Sequence, residues 1–230
     1  MLGIALAAAF AAGVVAQSQV AGDQSARSVL DGTSRVGSEV RVTWQGAVSP
    51  GVANQARALL RGLGLGSQTE VVLMNPVRLG GVVVRPAAIA PLDRWLPGIP
   101  PGRLGPCRSE RCPMLLAGHG PVPSTLAAIG VRIQVVGSAP LRSAVPLGFV
   151  PSGAGATGSM PVLVTWDVAG LESLPGLSGV YRAHSWLAPL TITGLRGWQL
   201  GGTEDRLARA QARLLLNGSQ FSLSAPFTAL

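Results

Sequence analysis

The sequence contains no lysine, so all 18 of its basic residues are arginine. This absence excludes every mechanism that needs a lysine nucleophile, and it excludes the phosphate-binding P-loop, whose motif contains lysine. Exclusive use of arginine is typical of a GC-rich genome. The formal net charge is +8, but the arginines are scattered singly with few aromatic residues between them. Nucleic-acid binding usually needs a clustered basic face, so we expect no nucleic-acid partner.

The motifs of common enzyme classes are missing as well. The chain has no G-x-S-x-G, H-E-x-x-H or Walker sequence, and its only histidines, His119 and His184, lack the paired spacing of zinc ligands. Residues 153–158, GAGATG, match the glycine pattern of dinucleotide-binding turns, but a strand-like run follows where a helix is required. We therefore predict no enzymatic activity, no catalytic residue, no cofactor and no bound metal.

Aromatic residues make up only 4 % of the chain, so the core must be built from Val, Leu, Ile and Ala. With 31 glycines and 18 prolines the chain turns often, which suits strands better than long helices. The order of strand, helix, several strands and helix predicts an α+β fold, with Trp44, Leu59, Leu60 and Val135 in its core. Strands are expected at 40–45, 69–74, 81–85, 114–118, 131–136, 161–168 and 186–193, and helices from Pro50 to the glycines at 62–66 and at 204–216, capped by Ser49 and Thr203.

Residues 2–16 form an uninterrupted apolar run. In a helix this run would cover roughly 22 Å, less than the ~30 Å hydrocarbon core of a bilayer. It suits a signal peptide, the outer half of a membrane helix or a buried helix, although no basic residue precedes it as in most signal peptides. The first two interpretations put the rest of the chain outside the cytoplasm. We predict a partial membrane helix or signal-like segment at 1–22, a helical linker at 23–38 and an extracytoplasmic α+β domain at 39–230, open to division into two subdomains near 150–160.

Cys107 and Cys112 are the only cysteines, and they lie in a proline-rich loop predicted at 97–113. Outside the cytoplasm a close cysteine pair is normally oxidised, and the glycine and prolines around the loop can bend it enough for a bridge. Two alternatives remain. A zinc site would need two further ligands, and a redox site usually has C-x-x-C spacing at the start of a helix.

Three patches are informative when they are taken together with their order and spacing. They are GRLGPCRSERCPMLLAG at 102–118, GVYRAHSWLAPL at 179–190 and GSQFSLSAPFTAL at 218–230. They resemble the extracytoplasmic region of actinobacterial ABC transporter permeases of the FtsX/MacB type. The resemblance extends over most of residues 35–230, and no patch in it is a catalytic signature.

This resemblance implies a domain placed between a first membrane helix and a later bundle of three. When a cytoplasmic ATPase dimer closes on ATP, the helices shift and the outer domains move, handling a substrate or partner protein. The implied partners are an ABC ATPase subunit, the remaining permease helices and membrane lipid, and a homodimer is compatible with it. The implied location is the cell membrane, with most of the chain extracytoplasmic. The Gly-Arg-Leu…Cys…Arg-Cys pattern of this family also supports a disulfide between Cys107 and Cys112.

Such permeases are much longer and carry several membrane helices, so this chain is expected to be a piece of one. A secreted or membrane-anchored binding protein of the cell envelope is the alternative that the sequence leaves open.

Overall fold

The computed structural model describes residues 39–66, 68–96, 104–118, 121–140, 160–189, 197–216 and 220–224. Within these ranges the chain forms strands, three α-helices and one 3₁₀ turn. The strands are β1 (Glu39–Gln45), β2 (Thr69–Met74), β3 (Val77–Leu79), β4 (Val82–Ala90), β5 (Arg111–Ala117), β6 (Thr125–Ala128), β7 (Val131–Ala139), β8 (Val162–Thr165), β9 (Arg182–Pro189) and β10 (Ser222–Ser224). The helices are α1 (Pro50–Gly62), α2 (Val168–Glu172) and α3 (Gly197–Leu216), and the 3₁₀ turn is Pro175–Leu177.

The strands form one mixed sheet in the order β10-β1-β9-β2-β4-β8-β5-β7-β6, and β3 pairs with β4 beside this path. The pairs β4–β8 and β5–β7 are parallel, and the other neighbours are antiparallel. A mostly sheet core with few helices confirms the predicted α+β class.

Two helices cover the β10-β1-β9 part of one sheet face. α1 begins as predicted, because Ser49 accepts a hydrogen bond from the Val52 amide and Pro50 occupies the first turn. Its apolar stripe packs with that of α3 against the sheet. We name this packing the α1/α3 cluster, and its buried members are Val40, Val42, Ala53, Ala56, Leu60, Leu65, Trp186, Ala188, Leu207, Phe221 and Leu223.

Two further apolar clusters complete the core. The α2 cluster combines Leu171 of α2 and the following Leu174 and Leu177 with side chains of β2, β4, β5, β7 and β8. The loop cluster joins Val71, Ala87, Ile89, Leu115, Val164 and Leu187 of the strands to Leu92, Trp95, Leu96 and Leu104 from the segments after β4. Because neighbouring strand residues such as Val71 and Val72 point to opposite faces, the loop cluster lies on the other side of the sheet from the α2 cluster.

Several predicted strand bounds were wrong. β5 begins at Arg111, so Cys112 lies in a strand and not in the loop predicted at 97–113. β9 begins at Arg182 rather than at 186, and β3 and β6 were not predicted. β4 runs to Ala90, through a proline that had ended the predicted strand at 85. Pro86 lies between the β4 segment paired with β3 and the segment paired with β2, where its missing N–H costs no bond to either strand.

The predicted start of the last helix was also wrong. α3 begins at Gly197 rather than at 204, so Thr203 lies inside the helix and is not its cap. The helix continues through two glycines at 201 and 202, although glycine is a poor helix former. Leu207 is a buried member of the α1/α3 cluster, and Ala210 and Leu214 pack against it.

Of the four residues expected in the core, Leu60 is fully buried. Trp44 and Leu59 are partly buried against the α1/α3 cluster, and Val135 is partly buried against the α2 cluster.

Some predictions fall outside the described residues. They include the segments 1–22 and 23–38, the glycine motif at 153–158 and His119. In the ranges that are described, none of the helices combines the length and the apolar character needed to cross a bilayer. Strands from both sides of residues 150–160 join the same sheet, and a division near that point stays a prediction.

Candidate functional site

Cys107 and Cys112 are joined by a disulfide bond. Between them the chain makes a tight turn, closed by two backbone hydrogen bonds of 2.7 and 2.8 Å between Arg108 and Arg111. Ser109 in this turn has a positive φ of 52°. Cys112 is fully buried in the α2 cluster, whereas Cys107 is only partly buried against it. The bridge therefore ties a surface turn to the core.

Asp167 attaches this disulfide loop to the start of α2. Its Oδ2 accepts a hydrogen bond from the Cys107 amide at 2.9 Å, and its Oδ1 accepts one from the Gly170 amide at 2.9 Å. The same carboxylate thus caps α2 and holds the loop. The neighbouring Trp166 donates its indole N–H to the carbonyl of Leu104 at 2.7 Å.

Gly170 is required where the loop and α2 meet. A Cβ at this position would lie 2.9 Å from the Cβ of Cys107 and would also collide with the carboxylate of Asp167. Any larger side chain must therefore displace the disulfide loop, the cap or both.

A cluster of three charged or polar side chains lies between α2 and β9. The Oε1 atom of Glu172 is 3.3 Å from a terminal nitrogen of Arg182 and 2.9 Å from Nε2 of His184. The His184 contact is close, but it is not aligned as a hydrogen bond. Arg182 also donates to the carbonyl of Ser178 at 2.6 Å. We name these residues, Glu172, Arg182 and His184, the charge cluster.

The charge cluster separates two apolar regions on the same sheet face. His184 is paired with Trp44 on one side and with Val72 on the other. Trp44 packs against the α1/α3 cluster, and Val72 belongs to the α2 cluster. The His184 ring is also stacked on Trp186, with 6.1 Å between ring centroids. The charge cluster therefore lies at the boundary between the two packed regions.

Burial of the Glu172 carboxylate by itself would raise its pKa. The contact and charge of His184 and the charge of Arg182 outweigh this desolvation, so the pKa of Glu172 lies below its ordinary value. Because the Arg182 guanidinium is buried, the ionised carboxylate supplies the opposite charge that it needs.

The charge cluster does not have the geometry of an acyl-transfer site. Nδ1 of His184 has no hydrogen-bond partner within the described ranges, so no serine, threonine or cysteine there is aligned with it. The adjacent Ser185 points to the other face of the sheet and shares a 3.2 Å hydrogen bond with Thr43. The side chains described also include no group of three His, Cys, Asp or Glu residues able to hold a metal ion.

The sequence prediction missed the charge cluster and the double role of Asp167. It assigned no role to Glu172 or Asp167. The sequence did contain one signal for part of the charge cluster. Arg182, His184 and Trp186 are spaced two residues apart, which places them on the same face of a strand. Their partner on α2 could not be inferred, since the return of the chain from α2 to β9 is irregular.

The chain matches no protein-family model, no curated protein and no solved structure.

Proposed function

We propose that this chain is a non-catalytic extracytoplasmic domain of an ABC transporter permease of the FtsX/MacB type. In this proposal the domain couples movements of membrane helices, driven by an ATPase, to a substrate or partner outside the cytoplasm. The sequence patches at 102–118, 179–190 and 218–230 support the family. An apolar helix at 1–22 would hold the domain at the membrane.

The pairing of β1 with β10 is the observation that carries the proposal. The two strands are antiparallel, with Arg41 opposite Ser224 and Thr43 opposite Ser222. β1 therefore begins at the same end of the sheet at which β10 ends, and we name this the entry end. A domain inserted between two successive membrane helices needs such an entry end, because both connections must return to one membrane surface.

The disulfide bond supports an oxidising location. Disulfides persist outside the cytoplasm, whereas cytosolic thiols are normally kept reduced. The bond between Cys107 and Cys112 joins a small turn to the core, which is a structural role and not a catalytic one.

The sheet offers a route for transmitting movement from the entry end. β1 pairs with β9 along its whole length, from Glu39 opposite Pro189 to Gln45 opposite Ala183. A displacement of the chain before β1 would act on all of these hydrogen bonds at once, so β9 would move with β1. β9 also carries Arg182 and His184, which contact Glu172, so the displacement would be passed on to α2 and the disulfide loop.

The proposal is tested by expressing the chain together with its genomic neighbours. We expect the chain to copurify with an ABC ATPase subunit, with more ATPase recovered in ATP than in ADP. The matched control is the same preparation with the ATPase inactivated in its nucleotide site. The absence of any neighbouring ATPase, or nucleotide-independent recovery, would contradict the proposal.

Mass analysis of the mature N-terminus separates this proposal from a secreted binding protein of the cell envelope. An intact apolar run supports the permease domain. A mature chain that starts near Gln17 indicates export instead.

A further inference from the structure

A groove of about 410 Å³ lies between the last turn of α1 and the middle of α3. Its floor is apolar and is formed by Leu59 and Leu63 on one side and by Ala210 and Leu214 on the other. These four side chains are only partly buried, so they cover the α1/α3 cluster and remain open to a ligand.

Arginine side chains of α3 form the rim of this groove, at positions 206, 209 and 213. Their spacing of three and four residues places them on one face of the helix. Arg209 and Arg213 are exposed, and none of the carboxylates whose side chains the structure describes lies within salt-bridge distance of either guanidinium. The groove thus combines an apolar floor with the exposed positive charges of Arg209 and Arg213.

The groove lies towards the entry end of the sheet. α1 ends at Gly62, shortly before β2 begins at Thr69. Thr69 is opposite Leu187, close to the pairing of Glu39 with Pro189 at the start of β1. The last turn of α1 is therefore near the place where the chain enters the sheet, which under the proposed function faces the membrane.

We infer that this groove binds anionic phospholipid at the membrane surface. The arginines hold the headgroup phosphate, and the apolar floor takes the glycerol and the upper part of the acyl chains. A soluble anion would leave the floor uncovered, and a zwitterionic lipid would supply no net charge to match the rim. This inference rests on the proposed function. Only if the entry end faces the membrane does the position of the groove favour a lipid over an acidic peptide.

The inference is tested with the full chain in lipid nanodiscs. The probe is phosphatidylglycerol with a photoactivatable group on its upper acyl chain, and phosphatidylcholine with the same group is the reference. After irradiation, mass spectrometry locates the crosslinked residues. We expect crosslinks at Leu59, Leu63 and Leu214 with the anionic probe and several-fold fewer with the zwitterionic one.

The decisive variant is Arg209→Gln/Arg213→Gln. Loss of two arginines at a lipid surface should weaken the crosslinking to the groove by roughly 30-fold at probe concentrations below saturation. The control is Arg78→Gln/Arg132→Gln, which removes the same charge from exposed positions on β3 and β7. We expect the control to crosslink as the unmodified chain does, and circular dichroism checks that all variants are folded.

Equal crosslinking of the two lipids, equal loss in both variants, or crosslinks confined to other parts of the chain would overturn the inference. A pairing of α3 with α3 of a second copy, detected with a protein crosslinker, would also overturn it by assigning the groove to self-association. No ATPase is present in this assay. A negative result with normal ATP-dependent copurification therefore rejects the lipid site alone, whereas failure of copurification rejects the permease proposal.

Discussion

Nε2 of His184 on β9 lies 2.9 Å from Oε1 of Glu172 at the end of α2. This contact connects the sheet to the corner that holds the disulfide loop, since Asp167 at the start of the same short helix binds Cys107. Arg182 contacts the same carboxylate oxygen from one side. A single carboxylate therefore joins β9 to the helix that holds the disulfide loop.

Substitution Glu172→Gln should destabilise the fold. It leaves the buried Arg182 and His184 without their ionised partner, and breaking a buried pair costs about 3 kcal/mol. The control is Glu70→Gln, whose partner Arg57 has a side chain 43 % exposed, so the loss should be below ~1 kcal/mol. Urea unfolding of the two variants measures both effects. Equal losses would show that the charge cluster is no stronger than a surface pair.

The pH dependence of stability should show the lowered pKa of Glu172. The carboxylate contributes its full stabilisation above the ordinary glutamate pKa of about 4.3, and this is lost as the pH falls through the lowered value. The stability difference between the unmodified chain and Glu172→Gln should therefore shrink on acidification below about pH 4.3. A difference that stays constant from pH 3 to pH 6, measured by urea unfolding, would contradict the role of this group.

The contribution of Glu39 to stability should change with pH in the opposite direction. Burial raises the pKa of its carboxyl, and the charges of Arg94 and Arg41 only partly offset this. Its contribution is therefore greatest at low pH and decreases as the pH rises through the raised pKa. We expect Glu39→Gln to gain stability relative to the unmodified chain between pH 4 and pH 7. A relative loss over this range, in the same unfolding measurements, would show that the carboxylate is well paired.

Substitution Gly170→Ala should cost about 2 kcal/mol. The new methyl group would meet Cys107 and the Asp167 carboxylate, and neither can move without breaking a hydrogen bond of the corner. The control is Gly62→Ala at the end of α1, where an added Cβ meets no atom within 4 Å. That change should be neutral or slightly stabilising, because alanine favours a helix. Thermal unfolding distinguishes the two, and similar midpoints would disprove the close approach.

Removal of the disulfide should have a modest effect. Cys107 and Cys112 are only five positions apart, so chain entropy predicts a loss of about 2 kcal/mol. The variant Cys107→Ser/Cys112→Ala avoids placing a hydroxyl group in the α2 cluster, where Cys112 is buried. We expect it to fold with an unchanged circular dichroism spectrum and a lower unfolding midpoint. Complete loss of structure would show that the bridge holds the whole fold.

The α+β class and the first three elements, β1, α1 and β2, could be predicted from sequence because local signals agreed there. Alternation from Val40 to Gln45, a cap at Ser49 and an apolar run from Thr69 were each sufficient. Prediction was poorer where a local breaker was overridden by the surrounding structure. β4 continues through Pro86, and α3 continues through its two glycines.

The polar contacts of the site could not be predicted, because they join residues from elements that only the fold brings together. Asp167 and Cys107 are 60 positions apart in the chain, yet they share a hydrogen bond. The groove is similar, since its arginines are on α3 and half of its floor is on α1. A sequence shows the scattered arginines, but not that three of them line one apolar surface.

The most direct test of the central claim is the redox state of Cys107 and Cys112 in the cells that produce the protein. Free thiols are blocked in intact cells with a membrane-permeant maleimide, the protein is then denatured and reduced, and newly released thiols are labelled with a heavy maleimide. An extracytoplasmic permease domain predicts that both cysteines carry the heavy label in protein recovered from the membrane fraction. Two cysteines blocked in the first step, in protein from the cytosolic fraction, would contradict it.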